Sequence, residues 1–118
     1  MSYVDGFLAP VLAASSEEAY RAFADRAAPV FQENGATRVV ECWEDDVPDG
    51  KTTDFRRAVQ LKEGEHVVFS WIEWPDKATR DAGMKKVMED PRMQPGEEPM
   101  PFDGPRMIYG GFRVIVDR

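Results

Sequence analysis

Few side chains in this sequence are of a type that does chemistry, and the first is its single histidine, His66. Histidine is the natural general base near neutral pH. At His66, however, the ring follows a turn and opens a strand, where a solvated side chain is the simpler expectation. Histidine ligation of haem or of a divalent metal would need further ligands, and no second histidine or cysteine cluster supplies them. The sequence therefore leads us to expect no metal and no cofactor. Cys42 lies between Glu41 and Trp43. The neighbouring carboxylates disfavour a thiolate, so Cys42 reads as a small hydrophobe in a strand. The acidic run Glu44, Asp45, Asp46 and Asp49 suggests calcium, but an EF-hand starting at Asp45 has Val47 and Arg56 where it needs oxygen ligands. The Pro48 to Gly50 stretch is explained by a tight turn.

Asp5 is different, because alternation in the opening strand puts it on the same face as Tyr3 and Phe7. A carboxylate on an apolar face needs a cation or solvent, since burying it alone is costly. Arg80, Arg92 and Arg106 are the candidate cations. If a pocket opens between sheet and helices, then Asp5, Trp71, Arg106 and Tyr109 would offer it an acid, an indole N–H, a cation and a phenol. That set suits a small aromatic or carboxylated metabolite. No nucleophile and base in the chain stand at a diagnostic spacing, which leaves the catalytic residues unassigned.

The elements that must carry these residues follow from pattern. "SYVDGFLAP" reads as a strand. Ser15 and Glu18 have capping-box spacing, and an apolar stripe at Tyr20, Phe23, Ala24, Ala27, Val30 and Phe31 predicts a helix, kinked near Asp25 by Pro29 and stopped at Asn34 and Gly35. "TRVVECW" predicts a second strand, "EDDVPDGKTTDF" an exposed loop, and "RRAVQL" a resumption of pairing. Lys62 to Glu65 then turns into the strand "HVVFSWIEW". Asp76 caps a second helix with i,i+4 pairs Asp76–Arg80 and Asp81–Lys85, and this helix ends before Pro91. Pro91 to Pro105 reads as loop. "RMIYGGFRVIVD" closes the chain as a strand, with Gly110 and Gly111 marking a bulge or the close approach of another backbone.

This order is α+β: a split βαβ, ferredoxin-like antiparallel sheet with helices on one face, in one domain over residues 1–118. Along "HVVFSWIEW", Val67, Phe69 and Trp71 point one way, whereas Val68, Ile72 and Trp74 point the other. Two helices cover one face only. Leaving the second wet forgoes roughly 1.5–3 kcal/mol per large side chain, so a second copy packed sheet to sheet is expected, a homodimer.

Composition bounds the partners. With 118 residues, 22 acidic against 15 basic side chains and a formal charge of -7, the chain repels phosphate backbones, and no nucleic acid is expected. No apolar run approaches the roughly 20 residues of a membrane-spanning helix. The lone cysteine and the lack of a secretory pattern at the N-terminus predict a cytoplasmic protein.

The stretches "YVDGFLAPV", "ECWEDDVPDGK", "VVFSWIEWP", "EDPRM" and "MPFDGPRMIYGGFRVIVD" together resemble the uncharacterised bacterial YbaA-like family, a family of unknown function, over nearly the whole chain. The resemblance implies a place in the dimeric α/β-barrel superfamily, whose ferredoxin-like subunits join their sheets into a shared barrel. That superfamily includes cofactor-free monooxygenases, haem-degrading enzymes, chlorite dismutases, muconolactone isomerases and stress-induced proteins, so it implies no single reaction. Two functions stand as expectations: a small-molecule binding, stress or housekeeping protein without turnover, or a cofactor-independent monooxygenase or isomerase in which Tyr109 or Asp5 moves a proton.

Overall fold

The computed structural model describes residues 2–94, 96 and 99–118. Strand β1 spans Tyr3–Val11, helix α1 Glu17–Glu33, strand β2 Arg38–Trp43, the short helix α2 Phe55–Ala58, strand β3 His66–Trp74, helix α3 Lys77–Glu89 and strand β4 Ile108–Arg113. The four strands form one antiparallel sheet in the order β2-β3-β1-β4. The sheet is open, not a closed barrel. β3 separates β1 from β2, which is the split βαβ arrangement that the element order predicts.

Cross-strand register fixes what each face carries. Tyr3 lies opposite Trp74, Asp5 opposite Ile72 and Ala9 opposite Val68, while Val39 lies opposite Ile72 and Trp43 opposite Val68. All of these point toward the helices. Two clusters fill that side. Ala9, Val11, Tyr20, Ala24 and Val68 make one, with Trp43, Phe102 and Met107 against it. Tyr3, Ala36, Ile72 and Trp74 make the other, with Phe7, Phe31, Val39 and Met84.

The opposite face carries Val4, Leu8, Val40, Phe69, Trp71, Ile108 and Phe112. Phe69 remains 44% exposed and Phe112 64% exposed. The two-faced reading of β3 therefore agrees with the register. Its apolar second face is bare over much of its area.

Several local expectations need correction. Ser16, not Ser15, caps α1, accepting from the Ala19 N–H at 3.1 Å. Its backbone is the extended one that a capping residue adopts. α1 runs through Pro29 to Glu33, as a stop at Asn34 requires. Asp25 and Pro29 both lie on the exposed side, so water can reach the carbonyl that proline leaves unbonded. The helix stops at Asn34 and Gly35 as predicted, with Gly35 at φ 110°.

"RRAVQL" does not pair as a strand. Asp54 accepts from the Arg57 N–H at 2.7 Å and starts α2 instead. The Arg57 guanidinium then ties down the preceding loop through the carbonyls of Gly50, Lys51 and Thr52. Asp76 caps α3 by accepting from the Thr79 N–H, but neither expected helix pair forms. Lys77 pairs with Asp81 at 2.8 Å, and Arg80 reaches Asp5 on the sheet while also donating to Asp81 at 3.0 Å. Between α3 and β4 the described residues make two single 3₁₀ turns, Pro91–Met93 and Gly104–Arg106. Phe102 adds an antiparallel bridge to Val11. Pro95, Glu97 and Glu98 of this expected loop lie outside the described residues.

The glycine pair in β4 makes no bulge, since Gly110 and Gly111 stay in register with Gly6 and Asp5. The close approach at Gly111 comes from side chains. A Cβ there would meet the Tyr3 hydroxyl and stand 2.7 Å from Arg80 Nη2. Gly111→Ala is expected to cost about 1–3 kcal/mol by pushing Arg80 off its seat. Chemical denaturation checks this, with Gly110→Ala as the control, because Gly110 has only ordinary ring contacts around it.

Candidate functional site

The four residues singled out in the sequence do not converge. Asp5 is 3% exposed. It accepts from Trp74 Nε1 at 2.9 Å, from Arg80 Nη2 at 2.7 Å and from Arg80 Nε at 3.1 Å. The Arg80 guanidinium also lies 5.2 Å from the centre of the Tyr3 ring, a cation–π contact. Of the three candidate arginines, Arg80 is the partner, and the carboxylate it holds raises its pKa. Every charge here is matched, which is what a structural ion pair requires.

Trp71 stands on the opposite face and donates its indole N–H to Glu73 at 2.9 Å. Tyr109 shares the face of Asp5, but it is 71% exposed on an edge strand and stacks on Phe7 with ring centres 6.3 Å apart. Arg106 is held elsewhere. It donates to both oxygens of Glu65 at 2.7 Å, to Asp103 at 2.6 Å and to the Gln60 carbonyl at 2.9 Å, linking the turn before β3 to the start of β4.

The Glu65 side chain sits near the surface yet is almost wholly covered by these contacts, being 5% exposed. Hydrogen bonding from Arg106, against a smaller cost of burial, holds its pKa down at about 2. A depressed carboxylate stabilises the fold fully above its unfolded value of 4.5, and the contribution is lost as pH falls toward 2. Glu65→Gln is expected to cost about 2 kcal/mol at neutral pH. It should also flatten the dependence of stability on pH across that window, which acid-series denaturation curves would reveal.

A site that the sequence reading passed over opens between α1 and the edge strand β2. It is a cleft of about 330 Å³, lined by Glu17, Tyr20, Arg21 and Asp25 from the helix and by Val39, Glu41 and Trp43 from the strand. Glu41 points into it because it shares a face with Val39 and Trp43, opposite Ser70. Its Oε1 accepts from the Tyr20 hydroxyl at 2.6 Å.

Glu41 as a whole is exposed on the edge strand, so its stem meets solvent while its carboxylate end is shielded. Burial of that end raises its pKa, opposed by the hydrogen bonds from Tyr20 and Ser70. The Tyr20 phenol, itself buried, is raised above its ordinary range by that burial and then by the Glu41 charge. The result is a phenol that stays protonated beside a carboxyl biased toward holding a proton. Glu17 pairs with Arg21 at 2.7 Å, leaving the cleft with an acidic excess from Asp25 and Glu41.

One signal was available for this site. Glu41 alternates with Val39 and Trp43 as Asp5 does with Tyr3 and Phe7, so the same question of what partners an acid on an apolar face applied to both. Among the described residues, no group of three histidine, cysteine, aspartate or glutamate side chains is arranged to hold a metal ion. No described helix is long and apolar enough to cross a membrane.

Comparison with known proteins adds relatives but no reaction. The family profile described as "Protein of unknown function (DUF1428)" matches residues 2–104. The chain is 61% identical over 117 residues to "Uncharacterized protein YbaA" of Escherichia coli strain K12, covering 99% of each chain. The protein of the same name from Shigella flexneri matches to the same extent.

Proposed function

This chain belongs to the DUF1428 family, and from that premise we propose that it is a cytosolic, homodimeric, ferredoxin-like protein of the dimeric α/β-barrel type that binds a small aromatic metabolite without transforming it. The cleft between α1 and β2 is the binding site. The observation that carries this reading is the 2.6 Å hydrogen bond from Tyr20 to Glu41 inside a cleft of about 330 Å³, a volume within the range of small-molecule sites. Trp43 and Tyr20 supply aromatic wall, while Glu41 supplies an acceptor that fixes orientation. The acidic excess disfavours carboxylated ligands and selects neutral or cationic ones that donate to Glu41.

Tyramine, an aromatic amine, serves as the probe and 4-hydroxybenzoate as its anionic counterpart. In amide NMR titrations, tyramine is expected to shift residues of α1 and β2 around the cleft, with Glu41→Gln weakening binding about tenfold and the anion giving no response. Absence of localised shifts at millimolar tyramine would refute the assignment of the cleft.

Homodimerisation is supported by the apolar open face, where Phe69, Ile108 and Phe112 otherwise stay in water. Burying them against a second copy recovers roughly 1.5–3 kcal/mol per side chain before the cost of association. Sedimentation at micromolar concentration tests it, and a monomer alone would sink it.

A second reading draws on the same carboxyl. Burial raises the Glu41 pKa and so makes its ionised form a stronger base, and beside the Tyr20 phenol that is also what an isomerase or a cofactor-independent oxygenase needs for proton transfer. Under that reading Glu41 takes the place that the sequence suggested for Asp5 or Tyr109. Wild-type protein should then exchange a ligand C–H for solvent deuterium, and Glu41→Gln should not.

A further inference from the structure

The open face ends in two features at opposite corners of the sheet. At one corner, β4 gives out at Arg113, which lies opposite Tyr3. Val114 makes one more contact, from its N–H to the Ser2 carbonyl at 3.4 Å. Ile115 and Val116 then leave the sheet at 82% and 71% exposure, followed by Asp117 and Arg118. At the other corner is a hollow of about 280 Å³ beneath the loop that follows β2. Phe55, Val67 and Phe69 give it an apolar floor. Asp45 and Asp46 stand exposed at its rim, and among the described residues neither has an ion-pair partner.

We infer that residues 114–118 form an arm that docks in this hollow on a second copy of the chain, with Ile115 and Val116 on the apolar floor and Arg118 against the acidic rim. An apolar pair meets an apolar floor, and Arg118 meets the two carboxylates, with Asp117, the neighbour they would repel, turned away from the rim. Reach excludes the arm's own hollow. Val67 lies opposite Pro10, so along the strands the hollow is about seven residues, or about 23 Å, from the arm's root, and β1 and β3 intervene as well. Five extended residues span only about 16 Å. A two-fold axis that exchanges the two corners satisfies both arms at once, and each copy brings both halves of the contact, as an isologous interface requires.

The inference rests on the homodimer reading, and its test separates the two. Cys42, the sole cysteine, lines the hollow. Introduced as Ile115→Cys or as Val116→Cys, a thiol on the arm is expected to form an intermolecular disulfide with Cys42 of the partner subunit under mild oxidation. The cross-linked dimer should appear on a non-reducing gel and vanish in a Cys42→Ser background. A disulfide needs its two Cα atoms within about 7 Å, so a second measurement accompanies it. Arg118→Glu should weaken the dimer about tenfold, and Asp46→Arg should restore it. If the unaltered chain sediments only as a monomer, both the homodimer reading and the arm fail. If it is a dimer that neither cross-links through the arm nor responds to Arg118→Glu, the arm alone is refuted.

Discussion

Arg80→Met is expected to lower the free energy of unfolding by about 3 kcal/mol or more, the largest loss from any single side chain described above. Asp5 is 3% exposed and, among the described residues, the arginine is its only cationic contact. Truncating one partner leaves a buried charge with only the Trp74 indole N–H to satisfy it, and breaking such pairs typically costs about 3–5 kcal/mol. The low end applies because the Arg80 side chain keeps 24% exposure, so water can enter where the guanidinium was. Removing both charges separates this unpaired-charge penalty from simple loss of packing. Asp5→Asn combined with Arg80→Met should recover more than half of the loss, since an amide still accepts from Trp74 and no charge is stranded. Urea denaturation of the four members of the cycle reads the coupling directly. Equal losses for the single and double variants would mean that Arg80 acts through its contact with Tyr3 and not through the ion pair.

Gly83→Ala is expected to destabilise by about 2 kcal/mol, and here two rules oppose each other in sign. Helix propensity alone favours alanine over glycine by roughly 1 kcal/mol in a helix interior such as that of α3. Packing dictates the reverse. A Cβ on Gly83 would run into the Asn34 carbonyl at the end of α1 and stand 2.7 Å from Cζ3 of Trp74. The first obstacle is backbone and the second a ring that is 1% exposed, so neither yields without α3 lifting from the sheet. Overpacking of that kind costs about 1–3 kcal/mol and brings the Arg80 contact down with it, because Arg80 lies one turn earlier on the same helix face. A thermal melt settles the sign. Stabilisation by alanine would show that α3 is not seated as closely as described.

How much of this was legible in the sequence depended on whether the determining contact was local. Alternation in "HVVFSWIEW" fixed which residues share a face, and the register agrees position by position, because a period of two admits no other arrangement in a strand. The Asn34 and Gly35 stop and the Asp76 cap were readable because a cap bonds within its own turn. The same locality misled at α3. Asp76 and Arg80 have the spacing of an ion pair, but the carboxylate is used by the Thr79 N–H and the guanidinium by Asp5, 75 residues away. "RRAVQL" has the alternation of a strand, yet Asp54 before it caps a helical turn, and Arg56 and Arg57 bond back into the preceding loop.

For the site, an acid on an apolar strand face signals that something must partner it: at Asp5 the partner is Arg80, and at Glu41 it is the Tyr20 hydroxyl in the cleft. What no local pattern encodes is that Tyr20 of α1 faces Glu41 across the interface between helix and sheet. Nor does the sequence encode that Gly111 is small in order to admit a guanidinium from α3.

The strand β2 is a single layer of chain with a different hollow on each side. Cys42 and Trp43 line both the cleft against α1 and the apolar hollow beneath the following loop. As an edge strand it is hydrogen-bonded to β3 alone, so it is freer to shift than the central strands β1 and β3. A molecule wedged behind it and a protein segment pressed in front of it would then act on one common wall. Thermodynamic reciprocity binds the two events: by whatever factor occupancy of the cleft alters self-association, self-association alters affinity for the occupant by the same factor.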